Sequence, residues 1–169
     1  RRLLLLTLGA GTLIRLFFAW RGNLNLDEGQ WLYDIHLFQQ GAVPFIDWTT
    51  RAPLLLAISS LFTRLLGYHL FVGRLVSVLA ATGTAYMLYR IGLRGASPRV
   101  GLLAAVFFML SPFVVYQTII VHEHPLQELL LSTSFFFLLR TLQKDSNVDA
   151  FWHGLLLSVS FLVRRSSPI

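Results

Sequence analysis

PLLLAISSLFTRLLG, residues 53–67, decides the topology of this chain, because every later segment changes side if it crosses a membrane. The apolar run before Gly67 is only 14 residues long, against about 20 for a helix that spans the hydrocarbon core. Leu54, Leu55, Ile58, Leu61, Phe62 and Leu65 fall on one helical stripe, and Ala57, Ser60 and Arg64 fall on the opposite face. That pattern predicts an amphipathic helix lying in the membrane interface rather than a span.

Outward from this helix, apolar segments occupy residues 3–20, 70–91, 100–121, 126–142 and, shorter, 151–163. Charge supports the non-spanning reading. Arg1 and Arg2 precede the first segment, so the N-terminus is expected in the cytoplasm. If residues 53–66 stay at the surface, the loop carrying Arg90, Arg94 and Arg99 is cytoplasmic, as is the one carrying Arg140 and Lys144. If they spanned, the first of those loops would be external, against the positive-inside rule. The expectation is an all-α, multi-pass transmembrane helical bundle with interfacial helices in a first external loop, residues 21–69. Residues 1–169 then form the N-terminal part of one transmembrane catalytic domain, which is expected to continue beyond Ile169.

The composition agrees. Of 169 residues, 55% are hydrophobic, and the mean hydropathy is +0.64. A net charge of +6 raises nucleic acid as a partner, but the basic residues are scattered between apolar runs, as in membrane loops. Nucleic acid is therefore excluded as the expected partner. No cysteine is present, which removes disulfides, cysteine metal sites and thiol nucleophiles.

The same topology gathers acid on one face. Six of the eight acidic residues, Asp27, Glu28, Asp34, Asp47, Glu123 and Glu128, lie at or near the external side. Residues 27–41 read as a short helix whose apolar face is Trp31, Leu32, Ile35 and Phe38. Asp27 stands at its expected N-cap, with Gln30 three residues on. Asp27 is thus read both as a cap and as a candidate base. Asp47, Trp48 and Arg51 follow between Pro44 and Pro53, suited to an interfacial anchor or to a substrate contact. The turn VHEHP, residues 121–125, brings Glu123 as a candidate acid. His122, Glu123 and His124 are candidate metal ligands, since imidazole and carboxylate suit Zn²⁺ or Mn²⁺. Arg164 and Arg165 emerge externally against the charge rule, which suggests attraction to an anion. Arg15, inside the first span, is expected to snorkel.

The ordered set DE at 27–28, G-A-V-P-F-I-D at 41–47, the Pro-led helix 53–66 ending in LG, and GRL at 73–75 resembles the front of a C-superfamily (GT-C) glycosyltransferase. The nearest likeness is to the protein O-mannosyltransferase-like and aminoarabinose-transferase-like families, over about residues 1–165. The resemblance implies transfer of a hexosyl or pentosyl unit from a polyprenyl-phosphate donor to a protein, lipid or glycan acceptor. It places the protein in the plasma (inner) membrane, among membrane lipid, with its active site on the external or periplasmic face of the cell envelope. It implies Asp27 as the essential acid, and Glu28, the second member of the DE pair, is a further catalytic candidate. Arg51 would hold the carrier phosphate, and Arg74, in the RL element, would be a further carrier-phosphate or substrate contact, with an ion pair to a loop acid as the other reading. Asp47, Arg164 and Arg165 are implied substrate or carrier contacts. The chain departs from the family at the second motif: His124 occupies the usual acid position, and Glu123 lies two residues before Pro125. The resemblance implies no cofactor, and the only candidate read from the residues is a divalent metal at that turn. A non-catalytic transporter or flippase of lipid-linked sugars, or a structural membrane subunit, would share the hydrophobicity and the external charge.

Overall fold

Proline and glycine punctuation sets the ends of the helices. The computed structural model describes residues 2–47 and 53–163. Among them are eight α-helices and no strand: α1 Arg2–Arg21, α2 Leu26–Gln39, α3 Pro53–Leu66, α4 Leu70–Gly95, α5 Pro98–Leu110, α6 Pro112–Thr118, α7 Glu123–Lys144 and α8 Asn147–Val163. α3, α5 and α6 each begin on a proline, whose missing N–H costs nothing in the first turn of a helix. Gly67 ends α3 with φ +94°, a conformation that a side chain would strain. α3 therefore has the bounds and the 14 residues that the sequence predicts.

By length and apolar character α1 and α4 can each cross a membrane, and α5 with α6 makes a third candidate if the bent pair is one span. The expected segment 100–121 is thus two helices, meeting at an angle of 65°. α7 has 22 residues but is not apolar enough to join that group, and α8 is a shorter apolar helix of 17. The five-span topology remains an expectation for those two helices.

The face of α3 differs from the expected one. Leu55, Leu56, Ser59, Ser60 and Thr63 point inward, while Ala57, Leu61, Arg64 and Leu65 are exposed. Ser60 lies on the packed side because the seam with α2 is partly polar: Gln39 Nε2 donates to Thr63 Oγ1 at 2.7 Å and to Ser60 O at 3.4 Å. Small and hydroxyl side chains thus face protein, and the leucines Leu61 and Leu65 are left outward, where a lipid surface would cover them.

The apolar core joins α2 and α3 to the other helices. It contains Trp31 and Ile35 from α2, Leu55 and Leu56 from α3, Val76 from α4, Leu126 from α7 and Val163 from α8, together with Val121. α4 is the central element, packed against α1, α3, α5 and α7. α4 and α5 approach closely where two glycines meet. A Cβ on Gly92 would lie 2.5 Å from the Cα of Gly101. α7 and α8 form a hairpin through Asp145, at φ +48°, clasped by the Arg140–Asp149 ion pair at 2.9 Å.

Arg15 does not snorkel. It is fully buried and turns toward the α5–α6 elbow. Pro112 has no N–H to donate to Phe108 O, and the bend removes further donors from the end of α5. Arg15 supplies them. Its Nη1 donates to Met109 O at 3.0 Å and to Gly11 O at 3.1 Å, its Nη2 to Phe108 O at 3.5 Å, and its Nε to Thr118 Oγ1 at 2.9 Å. A cation at the carbonyl end of a helix is also favoured by the helix dipole.

Candidate functional site

One end of the bundle is organised by a single ion pair. Glu28 and Arg74 are both buried, and they meet in a two-pronged contact: Arg74 Nε donates to Glu28 Oε1 at 2.7 Å and Nη2 to Oε2 at 2.6 Å. The remaining donors of Arg74 go to Ala19 O and Gly22 O, each at 2.8 Å, and to Asn23 O at 2.9 Å. These are carbonyls at and just beyond the end of α1. All five guanidinium N–H groups are thus used by protein acceptors, which realises the ion-pair reading of Arg74 and leaves no donor directed at a phosphate. Glu28 Oε1 also accepts the N–H of Val121 at 2.9 Å. The pair therefore ties α1, α2, α4 and the 119–122 turn together.

Glu28 also fixes where α2 begins. The N-cap is Asn25, not Asp27 as expected. Asn25 Oδ1 accepts the Glu28 N–H at 2.8 Å, and Glu28 Oε2 accepts the Asn25 N–H at 3.4 Å, a reciprocal capping box. The sequence holds two overlapping boxes, Asn25 with Glu28 and Asp27 with Gln30. The first prevails because its acid is also the partner of Arg74.

Asp27 is thereby released from capping. It sits in the first turn of α2, exposed, and its side chain makes no hydrogen bond or ion pair among the described residues. It opens onto a pocket of about 640 Å³ lined by Leu24, Asn25, Leu26, Asp27, Gly29 and Tyr116. Tyr116 also borders an apolar pocket of about 370 Å³, formed by Ile14 and Phe18 of α1 with Met109, Leu110, Pro112, Val115 and Ile119 at the elbow. Tyr116 thus lines both a carboxylate-bearing pocket and an apolar one. The sequence reading missed Tyr116; the signal was Pro112, one turn earlier, which breaks the third span.

The other expected site residues are distributed as follows. Asp47 folds its own turn, with Oδ2 accepting the Val43 N–H at 2.6 Å. Beside it Phe45 has φ +68°, a conformation costly for a bulky residue. Glu123 is the first residue of α7 and is buried. His122 is the N-cap, its Nδ1 accepting the His124 N–H at 3.3 Å and lying 3.4 Å from Glu123 Oε2. One potential ligand atom from each of His122, Glu123 and His124 lies within 4.8 Å of the other two. Glu128, one turn further along α7, is exposed. Tyr68 is tied to α2, donating to Leu32 O at 2.7 Å. Partial burial raises its phenol above the usual range. Arg51, Arg164 and Arg165, with Trp48, lie outside the described residues.

Helices apolar enough to span, a short amphipathic helix and a capped acidic helix define the class: an all-α membrane protein with a polar site at one end of its bundle. The family model described as dolichyl-phosphate-mannose-protein mannosyltransferase matches residues 50–168. The chain belongs to that family, which makes it a membrane protein of glycosyltransferase type. The matched stretch includes Arg51, Arg74, Glu123, Arg164 and Arg165, and it begins after Asp27 and Glu28. No curated protein and no solved structure matches the chain.

Proposed function

We propose that this protein transfers a sugar from a polyprenyl-phosphate donor to an acceptor on the non-cytoplasmic side of the plasma (inner) membrane, with inversion. The observation that carries this reading is the division of labour between two neighbouring acids. Glu28 is locked in an ion pair, while Asp27 faces an open pocket with its carboxylate uncommitted. A base needs that freedom and that access.

In the proposed reaction an acceptor hydroxyl oxygen attacks the anomeric carbon. Asp27 takes its proton, and the bond from that carbon to the phosphate oxygen breaks with its electron pair going to the phosphate. Phosphate is a good leaving group, so no acid is needed to protonate it. Its charge would be stabilised by cations, with Arg51 and one of Arg164 or Arg165 assigned that role. Glu28 and Arg74 position Asp27 by fixing the start of α2 against α1 and α4. The apolar pocket beyond Tyr116 suits the first isoprene units of the donor.

The test separates a transferase from a flippase. The full-length protein in lipid vesicles is supplied with polyprenyl-phosphate sugars and an acceptor mixture. Release of free polyprenyl phosphate with glycosylated product supports transfer. Movement of intact sugar lipid between leaflets, with no cleavage, overturns it.

A further inference from the structure

We propose that Arg90 and Arg94 bind the headgroup of an anionic phospholipid at the far end of α4. Three arginines stack on two adjacent phenylalanines of α7, and only one of the three has an acid. Arg140 lies 5.6 Å from the centroid of Phe137 and is paired with Asp149 at 2.9 Å. Arg90 and Arg94 lie 5.0 and 4.8 Å from the centroid of Phe136, and neither has an ion pair among the described residues. Phe136 is buried, and Arg90 is held further by Tyr86, whose hydroxyl accepts its Nη1 N–H at 2.7 Å. Two like charges are thus fixed on one ring.

Two guanidiniums held about one ring repel each other, and an anion between them relieves that repulsion. The C-terminal end of α4 supplies about half a negative charge, too little to balance both. Planar guanidinium forks grip phosphate oxygens in pairs, so the pair suits a phosphate. The surroundings make that phosphate a lipid's. α4 is long and apolar enough to cross a membrane, and Arg94 stands in its last turn, at headgroup level. Leu79, Tyr86 and Leu93 recur every seventh residue on the face of α4 that carries Arg90, and all three are exposed. An acyl chain can lie along that line below a phosphate held at Arg90 and Arg94. A zwitterionic headgroup brings its own ammonium to the same place, so a headgroup of net negative charge is preferred. Arg90 is 16 residues beyond Arg74, about 24 Å along the helix, and the site stands independently of the transferase reading.

The test is native mass spectrometry of full-length protein in detergent, given equal amounts of phosphatidylglycerol and phosphatidylcholine with the same acyl chains. One phosphatidylglycerol per chain should be retained at least about tenfold over phosphatidylcholine, since each arginine near a membrane surface contributes about fivefold. R90Q/R94Q should lose that preference. R94Q alone, whose side chain has no hydrogen bond to protein to lose, should lose about fivefold of it, and it decides the matter if the double variant does not fold. R99Q removes an exposed charge from the same end of the bundle and should keep the preference. Equal retention of the two lipids by wild type, a full preference in R94Q, or an equal loss in R99Q overturns the site. Displacement of the lipid by glycerol phosphate at the same concentration would also overturn it, and would assign the arginines to a free phosphate.

Discussion

Glu28 and Arg74 lie 46 residues apart in sequence and meet through two hydrogen bonds of 2.7 and 2.6 Å with no exposure to solvent worth naming. Removing one member of a buried pair leaves the other charged and uncompensated, at a cost of about 3–5 kcal/mol. E28A and R74A should therefore both lower the thermal midpoint and the yield of folded protein. R74K should not restore them, because an ammonium has three donors and cannot serve five acceptor contacts. Fluorescence-detected melting of purified protein checks this; a wild-type midpoint in R74K would remove the structural role.

Asn25, rather than Asp27, starts α2. N25A should cost about 0.5–2 kcal/mol of stability, whereas D27A should leave the melting midpoint unchanged. The opposite ranking would return the cap to Asp27.

Arg15 substitutes for backbone donors that Pro112 lacks. R15M should destabilise the protein by about 1–3 kcal/mol for each carbonyl left unsatisfied. P112A restores an N–H able to reach Phe108 O, so the double variant R15M/P112A should lose less than the two single changes summed. Strict additivity in a melting experiment would show that the elbow and Arg15 are unconnected.

Gly92 and Gly101 let the backbones of α4 and α5 meet. G101L forces the two helices apart, with an expected loss of more than about 1–3 kcal/mol, since the obstacle is backbone and not a movable side chain. G154L, on a helix face with nothing within 4 Å, should be tolerated. Melting of the two variants side by side checks the contrast.

These contrasts also mark what could be read from the sequence. The bounds of α3 were legible because Pro53 and Gly67 act locally, and that it is too short to span was legible from its 14 residues. The two overlapping capping boxes at residues 25–30 are equivalent as sequence; the choice between them is made by Arg74, a partner far along the chain. Arg15 reads as a snorkelling cation because its acceptors exist only once Pro112 bends the segment 100–121, and the sequence shows that segment as one apolar run. Asp27 was legible as a candidate acid, but its freedom was not, since that depends on Asn25 taking the cap. Tyr116 was missed for the same reason as the bend.

The central claim is that adjacent acids divide the work, with Glu28 holding the site and Asp27 acting in it. The most direct measurement is donor turnover by full-length D27N in lipid, beside wild type, with melting midpoints recorded on the same samples. Turnover should fall by about 10²–10⁴-fold while the midpoint stays at the wild-type value. Full turnover by folded D27N would contradict the assignment and leave that carboxylate without a role in the chemistry.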